Sequence, residues 1–402
     1  MWEIKSLTED QYWQKESFCP VAWRGVYVDP TGRVDNCCIS DNRLGDLNNS
    51  PIGDVLQGPR AIEIRQSMID GKLPDGCRVC CNGESDNLRV NFLNKFIDHD
   101  REIYDDVRGF RLNYLDLRWR NTCNSACVYC GPELSSRIAA EQGIEIRSDT
   151  STIDATKRFI VENIGDIKHI YLAGGEPLLI RENEWLLETL IDRDLSPNIL
   201  VNTNLSTINN RVFDLLCKFP NVTWMISGEH VGEHYEYIRY GSRWETFDRN
   251  LETLIDIVGP KNHDYIFNLV YFILNLDGFW QYTDWIKSKN LKKYQVHPAW
   301  IGNGNSDPFD PRRLPIEHSE KVRHQLAQKM HYGDDIDRPL AKFLLESWLH
   351  PQDNTGGLFP TQNQLTKFDR RRGLDSQRLW PEIWNSINSQ RKEHESNRER
   401  NR

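Results

Sequence analysis

Beyond about residue 110, strand-like runs alternate with amphipathic helical runs, and this alternation restricts the fold more than any other feature of the chain. Short runs rich in β-branched and aromatic residues predict strands at Leu112–Leu117, Ile167–Ala173, Asn198–Asn202, Val222–Ile226, Tyr265–Leu274 and Tyr294–Ala299. The segments between them predict helices at Glu182–Asp192, Asn210–Phe219, Trp244–Val258 and Gly278–Lys289. Such a repeat predicts a parallel α/β sheet, which right-handed crossovers would curl into a partial barrel.

The regions on either side of this α/β segment have a different character. The first hundred residues are rich in turn formers and cysteine, with predicted strands at Gly25–Val28 and Arg33–Asn36 and a helix at Pro59–Gly71. The sequence after Gly302 predicts a loop and then helices around 317–332 and 341–349. We therefore predict a small Cys-rich domain (1–105), a partial (β/α)6 TIM-like barrel (106–302), a helical C-terminal region (303–387) and a disordered charged tail (388–402).

Composition and charge exclude several classes of protein. The 402 residues carry a formal charge of −9, which argues against a general nucleic-acid binder. The longest apolar candidate for a membrane span, Tyr265–Leu274, is short and contains Asn268. The first residues show no apolar segment typical of a secretory signal. We expect a cytoplasmic protein with neither a membrane nor a nucleic-acid partner.

Ten cysteines in a chain without an export signal indicate metal ligands or catalysts rather than disulfides. Six of them lie within residues 19–81, and three more form the group Cys123, Cys127 and Cys130. Cys217 stands apart on an amphipathic helix and is predicted to be a core residue. The grouping predicts two separate thiolate sites.

The group Cys123, Cys127 and Cys130 has C-x3-C-x2-C spacing and directly follows the first predicted barrel strand. Thiolates select soft metals such as zinc, copper(I) or iron–sulfur clusters. Three ligands would leave one iron of a [4Fe-4S] cluster open for another ligand, since a closed cluster takes four cysteines. The loops after the strands of a β/α barrel are also where such barrels carry their chemistry. A zinc site completed by a distant His or Cys is the alternative.

The earlier cysteines follow a second pattern. Cys19, Gly32 and Cys37 fit C-x9–15-G-x4-C, and the pair Cys77 and Cys80 follows with C-x2-C spacing. Four such ligands could enclose one tetrahedral cluster, or a zinc ion in a ribbon-like site. The neighbouring Cys38 and Cys81 could replace Cys37 or Cys80 as ligands, although Cys37 and Cys80 keep the spacing.

The three-cysteine loop, RNTCNSACVYC with Tyr129 before its last cysteine, resembles the signature of the radical S-adenosylmethionine (radical SAM) superfamily. One strand later, Gly174, Gly175, Glu176 and Pro177 resemble the family's GGEP motif, which contacts the SAM amino group. Thr203-Asn204 resembles a T-N-G element near the SAM ribose, with Leu205 in place of the glycine.

Two further residues, Ser227 and Arg239, resemble the family's S-x-D-G…R pattern, whose serine and arginine hold the SAM carboxylate. Glu229 replaces the usual aspartate. The resemblance implies that Tyr129, Gly174, Gly175, Glu176, Pro177, Asn204, Ser227 and Arg239 bind the cofactor.

The N-terminal cysteines resemble the twitch domain, the shorter form of the SPASM auxiliary-cluster domain. That domain follows the barrel in most relatives, whereas here it precedes it. The resemblance implies a second, auxiliary [4Fe-4S] cluster with Cys19, Cys37, Cys77 and Cys80 as ligands.

The resemblance also implies the activity. A radical SAM enzyme reductively cleaves SAM to a 5′-deoxyadenosyl radical, which abstracts hydrogen from a substrate. Twitch and SPASM relatives often modify peptides, so we expect a ribosomally made peptide, with a sugar or other small molecule as the alternative. An electron donor such as flavodoxin or ferredoxin is an expected partner. A zinc-binding structural or interaction protein is the rival hypothesis from another class.

Overall fold

The computed structural model describes residues 17–80, 101–146, 149–276, 278–289, 291–301, 307–349 and 357–400. Within these ranges, a nine-stranded sheet forms the centre of the molecule. Its strands are β1 (Gly25–Val28), β2 (Arg33–Asp35), β3 (Gly45–Asp46), β4 (Tyr114–Leu117), β6 (His169–Leu172), β7 (Asn198–Thr203), β8 (Val222–Ser227), β10 (Asp264–Tyr271) and β11 (Gln295–Trp300). A separate two-stranded ladder joins β5 (Ala126–Cys127) to β9 (Arg239–Tyr240).

The order of the strands confirms the predicted parallel architecture. Strands β4, β6, β7, β8, β10 and β11 lie side by side in chain order, and every adjacent pair is parallel. Each corresponds to a predicted strand, with ends that differ by no more than three residues. No pairing among the described residues closes the sheet into a cylinder, so the barrel is partial, as expected.

Alternation along the strands gives the sheet two distinct faces. Val201, Trp224 and Phe267 are fully buried on the face that packs against the helices. Their neighbours Asn202, Ser227 and Asn268 are only partly buried, because successive side chains of a strand point to opposite faces. The second face is the concave interior of the partial barrel, and polar side chains line it.

Four predicted helices connect the barrel strands. They are α6 (Arg181–Asp192), α7 (Arg211–Leu216), α9 (Trp244–Val258) and α10 (Phe279–Ser288). Three further helices, α4 (Ser136–Gln142), α5 (Thr150–Asn163) and α8 (Gly232–Ile238), were not anticipated. Helix α5 buries only Ile153, Thr156 and Ile160, a stripe too narrow to give a strong amphipathic signal.

The Cys-rich region is built onto the edge of the barrel. Strand β1 pairs in parallel with β4, and β2 turns back antiparallel to β1. The predicted turn between β1 and β2 is present, with Gly32 at a φ of 90° and its N–H donating to the Asp29 carbonyl (3.1 Å). Helix α1 (Val21–Arg24) precedes β1, and helices α2 (Ile52–Leu56) and α3 (Pro59–Ile69) follow β3. The N-terminal hairpin therefore extends the barrel sheet beyond its first strand.

The C-terminal region is helical, as predicted, and contains α11 (Ile316–Tyr332), α12 (Asp337–Leu349), α13 (Phe359–Arg372), α14 (Ser376–Leu379) and α15 (Pro381–Arg400). The sequence predicts a disordered tail over 388–402, whereas α15 continues through Arg400. Ile383 and Ile387 anchor the first turns of this helix in the core, and the Arg, Lys and Glu residues that follow have high helix propensity. Among the described residues, no helix is both long and apolar enough to cross a bilayer.

Candidate active site

The loop that carries Cys123, Cys127 and Cys130 leaves the carboxyl end of β4 and is held at both of its ends. Cys127 pairs with Arg239 in the β5–β9 ladder, and the Val128 N–H donates to the Ile238 carbonyl (2.9 Å). On the other side, the Cys123 N–H donates to the Ser136 hydroxyl at the start of α4 (3.1 Å). These backbone bonds fix the loop that bears the thiols.

The three thiols of the loop lie close enough to affect one another electrostatically. Burial and, to a smaller extent, the neighbouring Cys127 together raise the pKa of Cys123 to about 12. Burial likewise raises the pKa of Cys130, with added contributions from Cys127 and Cys123. Metal binding must therefore displace protons from these thiols.

The donor set fits a cluster with one open position. All three donors are thiols on one loop, which matches the soft-ligand requirement of iron–sulfur centres. Among the described residues, no three His, Cys, Asp or Glu side chains crowd around a point that could hold a single metal ion. A cubane cluster binds each thiolate at a different iron, so its ligands need not crowd in that way.

The GGEP segment after β6 packs directly on the cysteine loop. A Cβ on Gly175 would collide with the Thr122 carbonyl, so only glycine permits this approach. Gly174 has a φ of 112°, a conformation that glycine adopts without strain. The Glu176 N–H donates to the same Thr122 carbonyl (2.8 Å), and Pro177 begins a short 3₁₀ turn. Both glycines thus have a structural reason that is independent of any ligand.

Glu176 connects the ends of two neighbouring strands. Its buried carboxylate accepts hydrogen bonds from the Thr203 hydroxyl (2.7 Å), the Asn204 N–H (2.7 Å) and the Leu178 N–H (3.1 Å). Burial raises the pKa of Glu176 to about 6, although all three hydrogen bonds act in the opposite direction. This side chain therefore sets the position of the segment that follows β7.

Asn204 reaches the cysteine loop from the end of β7. Its Nδ2 group donates to Asn124 Oδ1 (3.0 Å) and Ser125 Oγ (3.2 Å) and lies 4.0 Å from Cys123 Sγ. The next residue, Leu205, is fully buried with a φ of 51°, in the left-handed region that favours glycine. The chain thus keeps the backbone conformation of a T-N-G turn while it carries a leucine there.

Ser227 lies at the end of β8 on the concave face of the sheet. Its hydroxyl donates to Asn202 Oδ1 (2.9 Å), and Asn202 in turn donates to the Tyr171 hydroxyl (3.3 Å). Ser227 donates to Asn202, whereas Arg239 binds Glu229, so the two residues have different hydrogen-bond partners. Ser227 belongs instead to a row of polar groups that crosses the sheet.

Arg239 forms a buried ion pair on the cysteine loop. Its Nε and Nη2 groups bind the two carboxylate oxygens of Glu229 (2.7 and 2.6 Å), and the Tyr129 hydroxyl donates to the same carboxylate (2.8 Å). The Nη1 group lies 3.9 Å from Cys127 Sγ. Glu229 thus occupies the fork that the resemblance assigns to the SAM carboxylate, and Nη1 is the part of Arg239 directed at the thiols.

The N-terminal cysteines fall into two groups with different surroundings. Burial raises the pKa of the Cys37 thiol, and the nearby thiols of Cys38, Cys19 and Cys77 raise it further. Asn42 Nδ2 donates to Cys77 Sγ (3.2 Å). The side chain of Cys80 and the whole of Cys81 lie outside the described part of the chain. Cys19 and Cys77 therefore lie near enough to Cys37 to affect its thiol electrostatically.

Cys38, by contrast, faces the barrel strand β4. Its thiol and the Asp116 carboxylate are near enough to affect each other's pKa. Arg118 Nε lies 3.4 Å from Asp116 Oδ1. Asp116 is fully buried, and its Oδ2 atom has no hydrogen-bond partner among the described residues. Burial raises the pKa of Asp116. The sequence analysis missed this group, and the charged residues of LDLR in a buried strand were the available signal.

An open parallel barrel whose first strand leads into a loop with three thiols defines a β/α iron–sulfur protein. The chain matches the radical SAM superfamily over residues 119–286 and the SPASM iron–sulfur cluster-binding domain over residues 19–81. The chain therefore contains a radical SAM domain and a SPASM-type domain, which here precedes the barrel. The cofactors of this family are a [4Fe-4S] cluster and SAM, and the SPASM-type domain binds additional iron–sulfur.

Several solved structures are similar in fold to parts of the chain. SuiB of Streptococcus suis bound to S-adenosylmethionine is 12% identical, with a TM-score of 0.41 over 68% of this chain and 63% of that chain. SuiB bound to its precursor peptide SuiA is 12% identical, with a TM-score of 0.40 over 67% and 62%. AnSMEcpe with AdoMet and the Cp18Cys peptide is 17% identical, with a TM-score of 0.37 over 56% and 62%. The chain thus spans less than two thirds of each of these proteins, and no curated protein matches it significantly.

Proposed function

We propose that Cys123, Cys127 and Cys130 hold the SAM-cleaving [4Fe-4S] cluster, beside a SAM site built by the surrounding strand ends. The observation that carries the proposal is the convergence of three separate segments on the cysteine loop. Gly175 packs on Thr122, Asn204 approaches Cys123, and Arg239 lies opposite Cys127. These contacts give the loop one shape before any ligand binds, which lowers the entropic cost of binding.

In this proposal, each side chain at the site has a role that follows from its contacts. Gly174, Gly175 and Pro177 form the turn that lets the backbone approach the SAM amino group, and Glu176 fixes that turn against Asn204 near the ribose. Ser227 faces the concave interior, where the rest of SAM would extend. Arg239 supplies the Nη1 donor to the cluster side, while Glu229 and Tyr129 hold it in place.

When bound, the cluster and SAM together supply one-electron reductive cleavage of the sulfonium, which yields a 5′-deoxyadenosyl radical able to abstract hydrogen. The protein's contribution is to position SAM and substrate over the same concave face and to exclude water. Cys19, Cys37, Cys77 and Cys80 hold the auxiliary cluster in this proposal. The pairing of β1 with β4 supports a position for that cluster beside the first barrel strand.

We favour a peptide as the substrate because of the polar row on the concave face. Tyr171, Asn202, Ser227, Asn268 and His297 follow one another across five adjacent strands. Direct contacts link them, including Ser227 to Asn202 (2.9 Å) and His297 to Asn268 (3.4 Å). Five strands span about 20 Å at the usual strand spacing. A hydrogen-bonding surface of that length suits an extended peptide backbone better than a single sugar.

We propose that Asp116 accepts the proton that the substrate radical would lose on giving one electron to the auxiliary cluster. It lies on β4, between Cys38 of the auxiliary-cluster region and Tyr171 of the polar row. A buried carboxyl with a raised pKa and an unpartnered oxygen has the features of a general base. Asp116→Asn should retain SAM cleavage and lose substrate turnover, and unchanged turnover would reject this role.

Anaerobic reconstitution with iron and sulfide tests the proposed function. The protein should bind about eight irons in two [4Fe-4S] clusters and release 5′-deoxyadenosine from SAM after reduction by dithionite or flavodoxin. Stoichiometric zinc without any 5′-deoxyadenosine would instead support the zinc-binding structural protein.

A second experiment separates peptide from small-molecule substrates. Short peptides encoded beside the gene and a panel of sugars are each incubated with reduced enzyme and SAM. Peptides should increase 5′-deoxyadenosine release and change in mass, whereas a response confined to sugars would overturn the peptide assignment.

A further inference from the structure

The C-terminal helices contact the two elements that hold the ends of the cysteine loop, which are the segment leading into β9 and helix α4. Asp369 of α13 accepts a hydrogen bond from the Tyr237 hydroxyl (2.7 Å), just before the strand β9 that pairs with Cys127. His234 Nε2 meets the Leu379 carbonyl of α14 (2.9 Å). Arg372, the last residue of α13, binds Glu141 on α4, the helix that follows Cys130. The segment formed by α13 and α14 therefore contacts both the chain before β9 and the chain after Cys130.

Arg372 is at the centre of these contacts. Its Nε and Nη2 groups bind the two oxygens of Glu141 (3.1 and 2.9 Å). Its guanidinium lies over the rings of Phe368 (4.2 Å) and Tyr240 (4.9 Å). The side chain is only 1% exposed, and Nη1 has no hydrogen-bond partner in the described part of the chain. A buried hydrogen-bond donor without a partner lowers the stability of the folded protein, so an arginine at this position needs a physical explanation.

The position of Arg372 relative to the thiols of the cysteine loop gives that explanation. Tyr240, on which the guanidinium stacks, is the ladder partner of Ala126, next to Cys127. The charge of Arg372 is accordingly held against the strand that pairs with the cysteine loop. The cation beside the Cys127 thiol itself, Arg239, has its fork bound by Glu229. Arg372 and Glu141 thus form a second Arg–Glu pair beside the same ligand.

We propose that Arg372 is a positioning residue that joins the C-terminal helices to the cysteine loop, and that its charge raises the reduction potential of the cluster at that loop. The inference rests on the assignment of Cys123, Cys127 and Cys130 to the SAM cluster. Reduction adds negative charge to the cluster, and a buried cation nearby favours the reduced state. Glu141 acts in the opposite direction and limits the effect.

The two members of the pair give opposite predictions. Arg372→Gln removes the cation and leaves the Glu141 carboxylate without this partner, so the midpoint potential of the cluster should become more negative. Glu141→Gln leaves the cation uncompensated, so the potential should become less negative. A purely structural role would not produce shifts of opposite sign. Arg371→Gln is the matched control, because Arg371 is a third exposed and lies 3.9 Å from Glu141.

The measurement is a redox titration of the reconstituted full-length protein, followed by electron paramagnetic resonance. The signal of the SAM cluster is identified as the one that changes when SAM is added. Arg372→Lys keeps the charge without the fork and should restore the potential towards wild type while iron is lost more readily than from wild type. An unchanged potential in Arg372→Gln, or shifts of the same sign in Arg372→Gln and Glu141→Gln, would overturn the inference. A wild-type protein with no SAM-responsive signal would instead reject the proposed function.

Discussion

The loop with Cys123, Cys127 and Cys130 is short and braced from several strand ends, whereas Cys19, Cys37 and Cys77 come together from separate elements across residues 19–77. The first group depends on local spacing plus barrel packing. The second depends on a hairpin and on the loop that contains Asn42, which hydrogen-bonds to Cys77. Substitutions should therefore affect the two sites differently.

The contrast also separates the expected roles of the two sites. The braced loop is surrounded by backbone and amide groups that suit a polar ligand such as SAM. The N-terminal group lies beside β4 and sends Cys38 towards Asp116. A site of that kind suits electron transfer or substrate contact better than SAM cleavage. Substitutions at each site test this difference in role.

The largest expected effect comes from removing either set of ligands. Cys123→Ala, Cys127→Ala and Cys130→Ala combined should abolish 5′-deoxyadenosine release and leave about four irons, because one cubane is lost. Cys19→Ala with Cys77→Ala should also leave about four irons but retain some SAM cleavage without product. Iron assays and chromatography of the nucleoside products distinguish the two variants.

Cys217 provides the control for both variants. It is a buried core cysteine at the end of α7, and burial raises its pKa to about 11. Cys217→Ala should keep both clusters and full activity. If the triple variant still releases 5′-deoxyadenosine, the assignment of the SAM cluster is wrong. Full product turnover without Cys19 and Cys77 would reject a role for the auxiliary cluster.

Two adjacent cysteines give a sharper test within the N-terminal region. Cys37 faces Cys19 and Cys77, whereas Cys38 faces Asp116. Cys37→Ala should therefore reduce the iron content of the auxiliary site several-fold, while Cys38→Ala should keep it. The reverse result would show that Cys38 is the ligand. Iron and sulfide analysis of each variant, with the SAM cluster as internal reference, makes the comparison.

The fold was largely predictable because the strands of a parallel barrel have strong local signals. The β-branched and aromatic residues of Val222–Ser227, for example, clearly indicate a strand. The pairing of β1 with β4 was not predictable, because nothing in either sequence specifies a partner across that distance. Helix α15 was misread because its last turns carry charged residues in place of an apolar stripe.

The site was predictable where function requires a fixed spacing or a glycine. The three cysteines and Gly174-Gly175 belong to that class, and the described packing of Gly175 on Thr122 gives its physical reason. The Glu229–Arg239 pair and Arg372 were not predictable as a group, since long-range packing brings their elements together. A buried ion pair leaves no periodic signature in the sequence.

Leu205 tests how strongly the end of β7 is held. Leu205→Ala should destabilise the fold by about 3 kcal/mol, because a fully buried side chain is lost. Leu205→Gly loses the same side chain but relieves the left-handed backbone, which costs roughly 1–2 kcal/mol for a non-glycine residue. Glycine also has an entropic cost of about 0.5–1 kcal/mol. The glycine variant should therefore be the more stable of the two by roughly 0.5–1 kcal/mol in urea denaturation. Equal stability, or a more stable alanine variant, would show that the backbone there is not strained.

The smallest expected effect concerns Glu176, which joins the GGEP turn to Asn204. Its pKa is about 6 in the folded chain and 4.5 as the reference for the unfolded chain. The folded state therefore binds the proton more tightly, so its stability falls as pH rises from about 4.5 to about 6 and is level above that. The fall should be about 2 kcal/mol at most. Glu176→Gln removes this titration, so the difference in unfolding free energy between wild type and variant isolates it. Urea denaturation of the anaerobic, metal-free chain at several pH values measures that difference. A difference that grows in favour of wild type as pH rises would mean that the three hydrogen bonds outweigh burial at this carboxylate.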